Sequence, residues 1–262
     1  MKTLAVANQK GGVGKSTLSV HLAYAALEAG LRVLLVDMDN QASLSMSFPA
    51  SGDAAAGLLA SHLFRNLSDD FFPYGNFPKV PEKISDHLSI IRADDALLAV
   101  DKANNDVIRL PAKALRCFVK DYDLVLIDTP PLLGTRLMAA LSAADFVLTP
   151  VSIGLFELAG VADLMKTIQV VRTQGFNPRL QHIGILPVKT NNRSKAEQTA
   201  LDGLRARYGK AILPHTLPER AAVRKAVAMR QPVWKATHGD GHLKAAREWR
   251  EACDAILIKV TQ

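Results

Sequence analysis

The sequence predicts an α/β fold built on a mainly parallel, twisted sheet with helices on both faces. Three observations predict it. Apolar runs of strand length recur along the chain, separated by stretches with helical periodicity. The first run feeds directly into a glycine-rich loop and then a helix. Two later runs end in aspartate, which puts carboxylates at the C-terminal edge of the sheet, where open α/β sheets take up ligands.

Taken in order, Thr3-Leu4-Ala5-Val6-Ala7 is the first strand, and a helix from Lys15 places Leu18, Leu22, Ala25 and Ala26 on one face. Between them runs Gln9-Lys10-Gly11-Gly12-Val13-Gly14-Lys15-Ser16-Thr17. Three glycines let consecutive N–H groups point inward with no Cβ in the way, and the helix N-terminus adds partial positive charge, so the loop suits a phosphate chain. Lys15 is placed to meet the β and γ phosphates, and the Ser16 hydroxyl to bind Mg2+. The usual spacing asks for glycine where Gln9 stands. What this loop has instead is a second lysine, Lys10.

Gly30 stops the first helix, and Leu31-Arg32-Val33-Leu34-Leu35-Val36 reads as a buried parallel strand that ends in Asp37-Met38-Asp39-Asn40-Gln41. Residues 54–64 are expected as a short helix, and the aromatic stretch 71–78, broken by Pro and Gly, as an irregular loop packed on the core. Leu88-Ser89-Ile90-Ile91 is a strand, with helical pieces over 93–100 and 108–119. Residues 122–128 are an apolar strand ending in Asp128, a Walker B pattern that sets a carboxylate beside the phosphate loop to bind Mg2+ through water. In the following Thr129-Pro130-Pro131, two fixed φ angles and two missing N–H donors make a stiff turn. Strands over 144–151 and 182–188 follow, with a helix over 158–171 between them, and the stretch 211–218 supplies the last strand.

At 262 residues and 48% hydrophobic, the chain is expected to be one domain, 1–262. Cys117 and Cys253 have neither metal-ligand spacing nor a disulfide framework around them, which fits a reducing cytoplasm. No run reaches the roughly 18 apolar residues of a membrane span. The net charge of +7 is uneven: residues 1–131 hold 13 Lys+Arg against 15 Asp+Glu, and residues 132–262 hold 19 against 10. A cationic C-terminal half points to a polyanionic partner, nucleic acid ahead of anionic lipid.

The loop Lys-Gly-Gly-Val-Gly-Lys-Ser-Thr at 10–17 resembles the deviant Walker A loop of the ParA/MinD family of P-loop NTPases. Residues 37–41 are similar to that family's first switch and 128–131 to its second, and the resemblance covers nearly the whole chain. It implies ATP and Mg2+ as ligands and a homodimer in the ATP state, with Lys10 reaching across to the partner's nucleotide. Lys10, Lys15 and Asp39 become the catalytic set, Asp39 orienting the attacking water. Ser16, Asp37 and Asp128 surround the metal, and residues 10–17 with Asn191 and Pro218 enclose the nucleotide. Because the chain starts at the phosphate-loop strand, it resembles the family's short form, without an N-terminal DNA-binding segment.

By the same resemblance, Arg193, Arg220, Arg224, Lys225 and Arg230 form a non-specific DNA surface. Arg220 and Arg224 are expected one helical turn apart on a shared face. No helix-turn-helix or zinc-finger pattern is visible, so DNA binding is expected to ignore sequence and weaken with salt. The implied protein is a nucleoid-associated partition ATPase, slow until a ParB-like activator completes its site. A MinD-like membrane ATPase, or one that positions another cargo, is the alternative. Against the membrane case, the polar face of the C-terminal helix mixes Glu248, Glu251 and Asp254 with Arg250 and Lys259. An iron-protein type reductase lacks cysteines near the second switch, and amidoligase chemistry lacks an identifiable acceptor pocket.

Overall fold

The computed structural model describes residues 1–50, 57–65, 80–153, 157–191 and 194–262. One sheet of eight strands runs through them: β1 (Lys2–Val6), β2 (Val33–Asp37), β3 (Glu82–Ser85), β4 (Leu88–Ile91), β5 (Leu124–Asp128), β6 (Phe146–Ser152), β7 (Gln181–Thr190) and β8 (Leu217–Pro218). Their spatial order is β3-β4-β2-β5-β1-β6-β7-β8, and every pairing is parallel except β3 with β4. The chain moves outward from β1 in one direction, returns through β5, and leaves in the other direction through β6. That reversal lies beside the C-terminal end of β1, the crevice where such sheets bind ligands.

The central strands β2 and β5 are buried at every position, which is why they read as unbroken apolar runs. Alternate residues serve opposite layers. Leu4, Val6, Leu35, Leu124 and Leu126 pack with α1 (Lys15–Glu28), α8 (Ala221–Ala228) and α9 (Asp240–Thr261). Ala5, Val36, Val125 and Ile127 pack with α5 (Thr135–Ala143) and α6 (Glu157–Thr173) on the other side. The remaining α-helices are the short α2 (Ser43–Ser47), α3 (Leu97–Val100) and α4 (Leu110–Leu115), together with α7 (Lys195–Tyr208).

Two expectations need correction. Of the helix expected over 54–64, residues 54–56 lie outside the described residues and, of the rest, Ala60–Phe64 is helical, as a 3-10 turn. The aromatic stretch 71–78 also lies outside them. The last strand shrinks to Leu217–Pro218, because Gly209–Ala211 turns as a 3-10 segment and leaves a single bridge, Ile212 to Ile185. An edge position tolerates Pro218, which has no N–H to donate. The edge strand β3 was not anticipated. Glu-Lys-Ile-Ser carries one apolar residue, and Arg92 anchors it from the following strand's end through bonds of 2.5 and 3.0 Å to Glu82. α9 packs as expected, with Trp249, Cys253, Ile256, Leu257 and Val260 buried. No helix among the described residues is long and apolar enough to cross a membrane.

Candidate functional site

Parallel register brings the chemistry together. Asp128 at the end of β5 pairs with Val6 on one side and Asp37 on the other. Adjacent strands lie about 4.8 Å apart, so the two carboxylates are neighbours, Asp128 next to the strand that feeds the loop and Asp37 one strand further out. Thr129 donates to the Val6 carbonyl at 2.9 Å, and Met38 N–H to the Asp128 carbonyl at 3.0 Å. These bonds extend the ladder past the strand ends and hold the three loops in line.

The glycine-rich loop is shaped by its backbone. Gly12 and Gly14 have φ of 73° and 87°, and a Cβ at either would meet no atom within 4 Å. Glycine is needed there for conformation rather than for space. Asn8 braces the loop's start, donating to the Pro150 carbonyl at 2.7 Å and accepting the Lys10 N–H at 2.9 Å. Lys10, Gly11 and Gly12 are exposed, whereas Val13 and Lys15 are buried. The Lys15 ammonium donates to the Lys10 carbonyl at 3.2 Å. Burial lowers its pKa, partly offset by the charges of Asp128 and Asp39.

Ser16 donates to Asp128 Oδ2 at 2.5 Å, and Ser19 to Oδ1 at 3.4 Å. Full burial pushes the Asp128 carboxyl up to about 8; the Asp37 charge adds to this, while the Ser16 hydroxyl and Lys15 oppose it. Asp37 rises to about 6 for the same first reason, burial, against bonds from Ser45 and the Asp39 N–H. Its Oδ2 accepts from Ser45 N–H at 2.8 Å and Ser45 Oγ at 2.7 Å, so α2 fixes its orientation. Two buried acids side by side, both held toward the protonated form, call for a cation. The donors at hand are a hydroxyl and carboxylates, the hard oxygen ligands that Mg2+ prefers. The residues therefore fit the metal. Asp39 is nearly buried, and its Oδ1 accepts the Gln41 N–H at 3.1 Å.

A cavity of about 270 Å³ opens beside the loop, lined by Gly14, Thr17, Val188, Pro218, Val223 and Trp249 among others. It adjoins a larger one of about 570 Å³ lined by Asn191, Pro218, Arg220 and Arg224. Of the two residues expected at the nucleotide, Pro218 lines the same cavity as Gly14 and Thr17, and Asn191 lines the adjoining one.

The basic residues are less uniform than the sequence implies. Arg220 and Arg224 do not share a helical face: Arg220 precedes α8 with extended backbone (φ −137°, ψ 136°). Its guanidinium makes two 2.7 Å bonds to Glu248 of α9, which leaves little of its charge for a partner. The carboxylate lies 28 residues further along the chain, so helical spacing could not reveal it. Arg224 is exposed and meets Glu219 at 2.7 Å. Lys225 and Arg230 are also exposed, the latter with φ of 54° and its carbonyl held by Tyr24 Oη at 2.7 Å. Arg193 lies outside the described residues.

Two residues at the site escaped the sequence reading. Arg136, buried at the start of α5, donates to Asp101 at 2.8 Å through Nε, to the Met38 carbonyl at 3.2 Å and to Asn40 at 3.1 Å. It ties the loop after β2 to the loop after β5. Gly134 matters to this contact, because a Cβ there would stand 2.8 Å from the Asp101 carboxylate. The other is Lys189 at the end of β7, whose ammonium reaches the Gly12 carbonyl. Only a buried arginine's need for partners signals the first, and no pattern in the sequence signals the second.

Comparison with known proteins agrees with this geometry. The AAA_31 family model, an AAA domain, matches residues 1–182. The chain is 35% identical to protein IncC of Escherichia coli, over 99% of this chain and 70% of that protein. It is 31% identical to the chromosome-partitioning ATPase Soj of Thermus thermophilus, over 100% of this chain and 98% of that one. Among solved structures it resembles cobyrinic acid a,c-diamide synthase from Mycobacterium smegmatis with bound ATP analog and magnesium. The TM-score is 0.77 and the identity 28%, covering 98% of this chain and 94% of that one.

Proposed function

Because this chain belongs to the ParA/Soj family of partition ATPases, we propose that it binds ATP·Mg2+ on the loop at residues 10–17 and uses hydrolysis to switch between a DNA-holding dimer and a released form. The observation that carries this is one constellation: two lysines on a single glycine-rich loop, with Ser16 bonded to Asp128 and Asp37 alongside. Ser16, Asp128 and Asp37 would hold the metal. When bound, Mg2+ neutralises charge on the β and γ phosphates. The N–H groups of residues 11–16 and the Lys15 ammonium bind the phosphates, and Asp39 orients the attacking water. The apolar walls of the smaller cavity, Val188, Pro218 and Val223, take the base. Burial of Lys15, Asp37 and Asp128 excludes water from these contacts and strengthens each of them.

Lys10 is the dimerising residue. It is exposed at the mouth of the loop, where a Cβ on Gly11 would lie 3.8 Å from the Pro131 side chain, and the neighbouring Leu132 and Leu133 are 71% and 61% exposed. Two large apolar side chains held out beside a phosphate site suit burial against a second copy. In that dimer Lys10 meets the partner's phosphates, so the γ-phosphate joins two subunits and its loss parts them. Arg224, Lys225 and Arg230 supply the DNA contact, with Arg220 acting through its pair to Glu248 to fix the start of α8. A ParB-like activator raises a slow basal hydrolysis, and the chain acts as one unit over 1–262 at the nucleoid.

The test is DNA binding with ATP, with ADP and without nucleotide, for the wild type, Lys15→Ala and Arg224→Ala. Binding in ATP alone, lost in both variants, is the expected result. Binding that ignores nucleotide, or no binding in any state, overturns the switch, and the second of these turns the reading toward a protein cargo.

A further inference from the structure

β7 is interrupted where it meets β8. The pairing register shifts between Val188 and Thr190, and the residue between them, Lys189, has φ of 52°. Left-handed backbone is unfavourable for a lysine; glycine or asparagine is the residue to expect there. The irregularity redirects a side chain, as bulges beside functional sites do. Lys189 turns out of the ladder, lines the 270 Å³ cavity together with Gly14 and Thr17, and ends with Nζ 2.6 Å from the carbonyl oxygen of Gly12. A residue 177 positions away thus holds the exposed crest of the phosphate loop.

That carbonyl is a sensitive place to hold. A trans peptide is planar, so the Gly12 C=O and the Val13 N–H point in opposite directions, and fixing one fixes the other. Gly12 is exposed and unobstructed, which makes rotation of this peptide easy unless something opposes it. Lys15 steadies the Lys10 carbonyl in the same way, from inside the loop.

We propose that Lys189 is a positioning residue of the phosphate loop: its ammonium fixes the Gly12–Val13 peptide with the N–H turned toward the nucleotide phosphates. This rests on the reading that the loop holds a nucleotide. A positive charge on the carbonyl also polarises the peptide and makes the Val13 N–H a stronger donor. The contact needs no nucleotide to form, so it preorganises the loop for ground state and transition state alike. Removing it should therefore act on KM and leave kcat nearly alone.

The experiment compares wild type, Lys189→Asn, Lys189→Arg and Lys15→Ala by calorimetric titration with Mg·ADP, steady-state ATP hydrolysis and thermal melting. Asparagine accepts the left-handed backbone but cannot reach Gly12, whereas arginine can. Lys189→Asn should raise the ADP Kd and the ATP KM about tenfold, the loss of one charge-assisted hydrogen bond reduced by its exposure. Its kcat should stay within about twofold and its Tm should not fall, because strain is relieved as the bond is lost. Lys189→Arg should restore most of the affinity. Wild-type affinity in Lys189→Asn overturns the proposal. So does a loss in that variant that arginine does not rescue, or one that tracks a falling Tm. If wild type fails to bind ADP, or Lys15→Ala binds it as wild type does, the nucleotide reading itself fails. Loss in Lys15→Ala with none in Lys189→Asn spares that reading and rejects only the role of Lys189.

Discussion

His21 makes the packing of α1 against the C-terminal helices measurable. Its ring is fully buried, with Nδ1 2.7 Å from the Thr17 carbonyl and Nε2 3.2 Å from the Val233 N–H. The first contact requires a proton on Nδ1 and the second requires none on Nε2, so one neutral tautomer satisfies both. The rings of Trp249 and Trp234 stand 4.4 and 5.6 Å away. Burial lowers its pKa from 6.5 to about 4, with the Thr17 carbonyl opposing in part. In the unfolded chain the ring takes its proton near pH 6.5; in the native protein it waits until about 4. Between those values the unfolded state binds more protons, so stability falls as pH drops through the window and is intact above it. At about 1.4 kcal/mol per pH unit, the gap amounts to about 3 kcal/mol once pH reaches 4. Urea unfolding of wild type and His21→Gln at pH 7.0, 5.5 and 4.5 measures it. Glutamine can still accept from Val233 but does not titrate, so its acid loss should be smaller by most of that amount. An acid limb of equal depth in the variant refutes the reasoning. His182, lowered to about 4 by burial and 3.0 Å from Thr149 Oγ1, keeps a second limb in both proteins.

Other consequences follow from the site. Lys10→Ala should retain ADP binding but lose ATP-dependent dimerisation, read by light scattering; an ATP dimer of wild-type strength would falsify the role given to that lysine. Asp128→Asn should cut Mg2+-dependent hydrolysis about a hundredfold or more. Asp128's raised pKa makes the native state favour its protonated form, a stabilising term lost as pH climbs through about 8. The neutral amide should therefore melt no lower than wild type at pH 8 without Mg2+. Arg136→Met breaks a buried pair whose carboxylate, Asp101, is 34% exposed, so it should cost about 2 kcal/mol rather than the full buried-pair value. It should also lower kcat more than ADP affinity, because the loop carrying Asp39 is what Arg136 holds. Lys225→Ala should reduce the slope of log affinity for DNA against log salt by about one phosphate contact.

How much could be read beforehand depended on how far apart the interacting residues lie. β2 and β5 were legible because burial on both faces leaves no choice but apolar side chains. The phosphate loop was legible because its demands are local: positive φ at Gly12 and Gly14, then a helix. That Asp37 and Asp128 lie on the ligand side needed only the parallel sheet and the rule that such sheets bind ligands at their C-terminal edge, whereas their adjacency came from the strand order. Where function depends on long-range contact, composition was silent or misleading. Arg220 and Arg224 sit four apart in sequence, yet backbone extension at 220 and the carboxylate of Glu248 decide what Arg220 does. Arg136 gathers partners from residues 38, 40 and 101, and Lys189 finds its own near the chain's beginning. β3 was missed because an edge strand anchored by one ion pair needs no alternating pattern.

The contacts of α1 show how the loop and the basic region can share one mechanical element. Leu18, Leu22 and Ala25 face the sheet, and His21, Tyr24 and Glu28 recur at helical spacing on a different side. His21 accepts from Val233, Tyr24 donates to the Arg230 carbonyl, and Glu28 accepts from the Trp234 indole at 2.9 Å and pairs with Arg250. Every turn of that side is bonded to the segment between α8 and α9 or to α9 itself. The helix that makes these bonds starts at Lys15, inside the phosphate loop, and spans 14 residues, about 21 Å. A hydrogen-bonded helix of that length resists bending more than the loops at either end. The phosphate loop and the segment that carries Arg230 are thus bonded to one and the same helix.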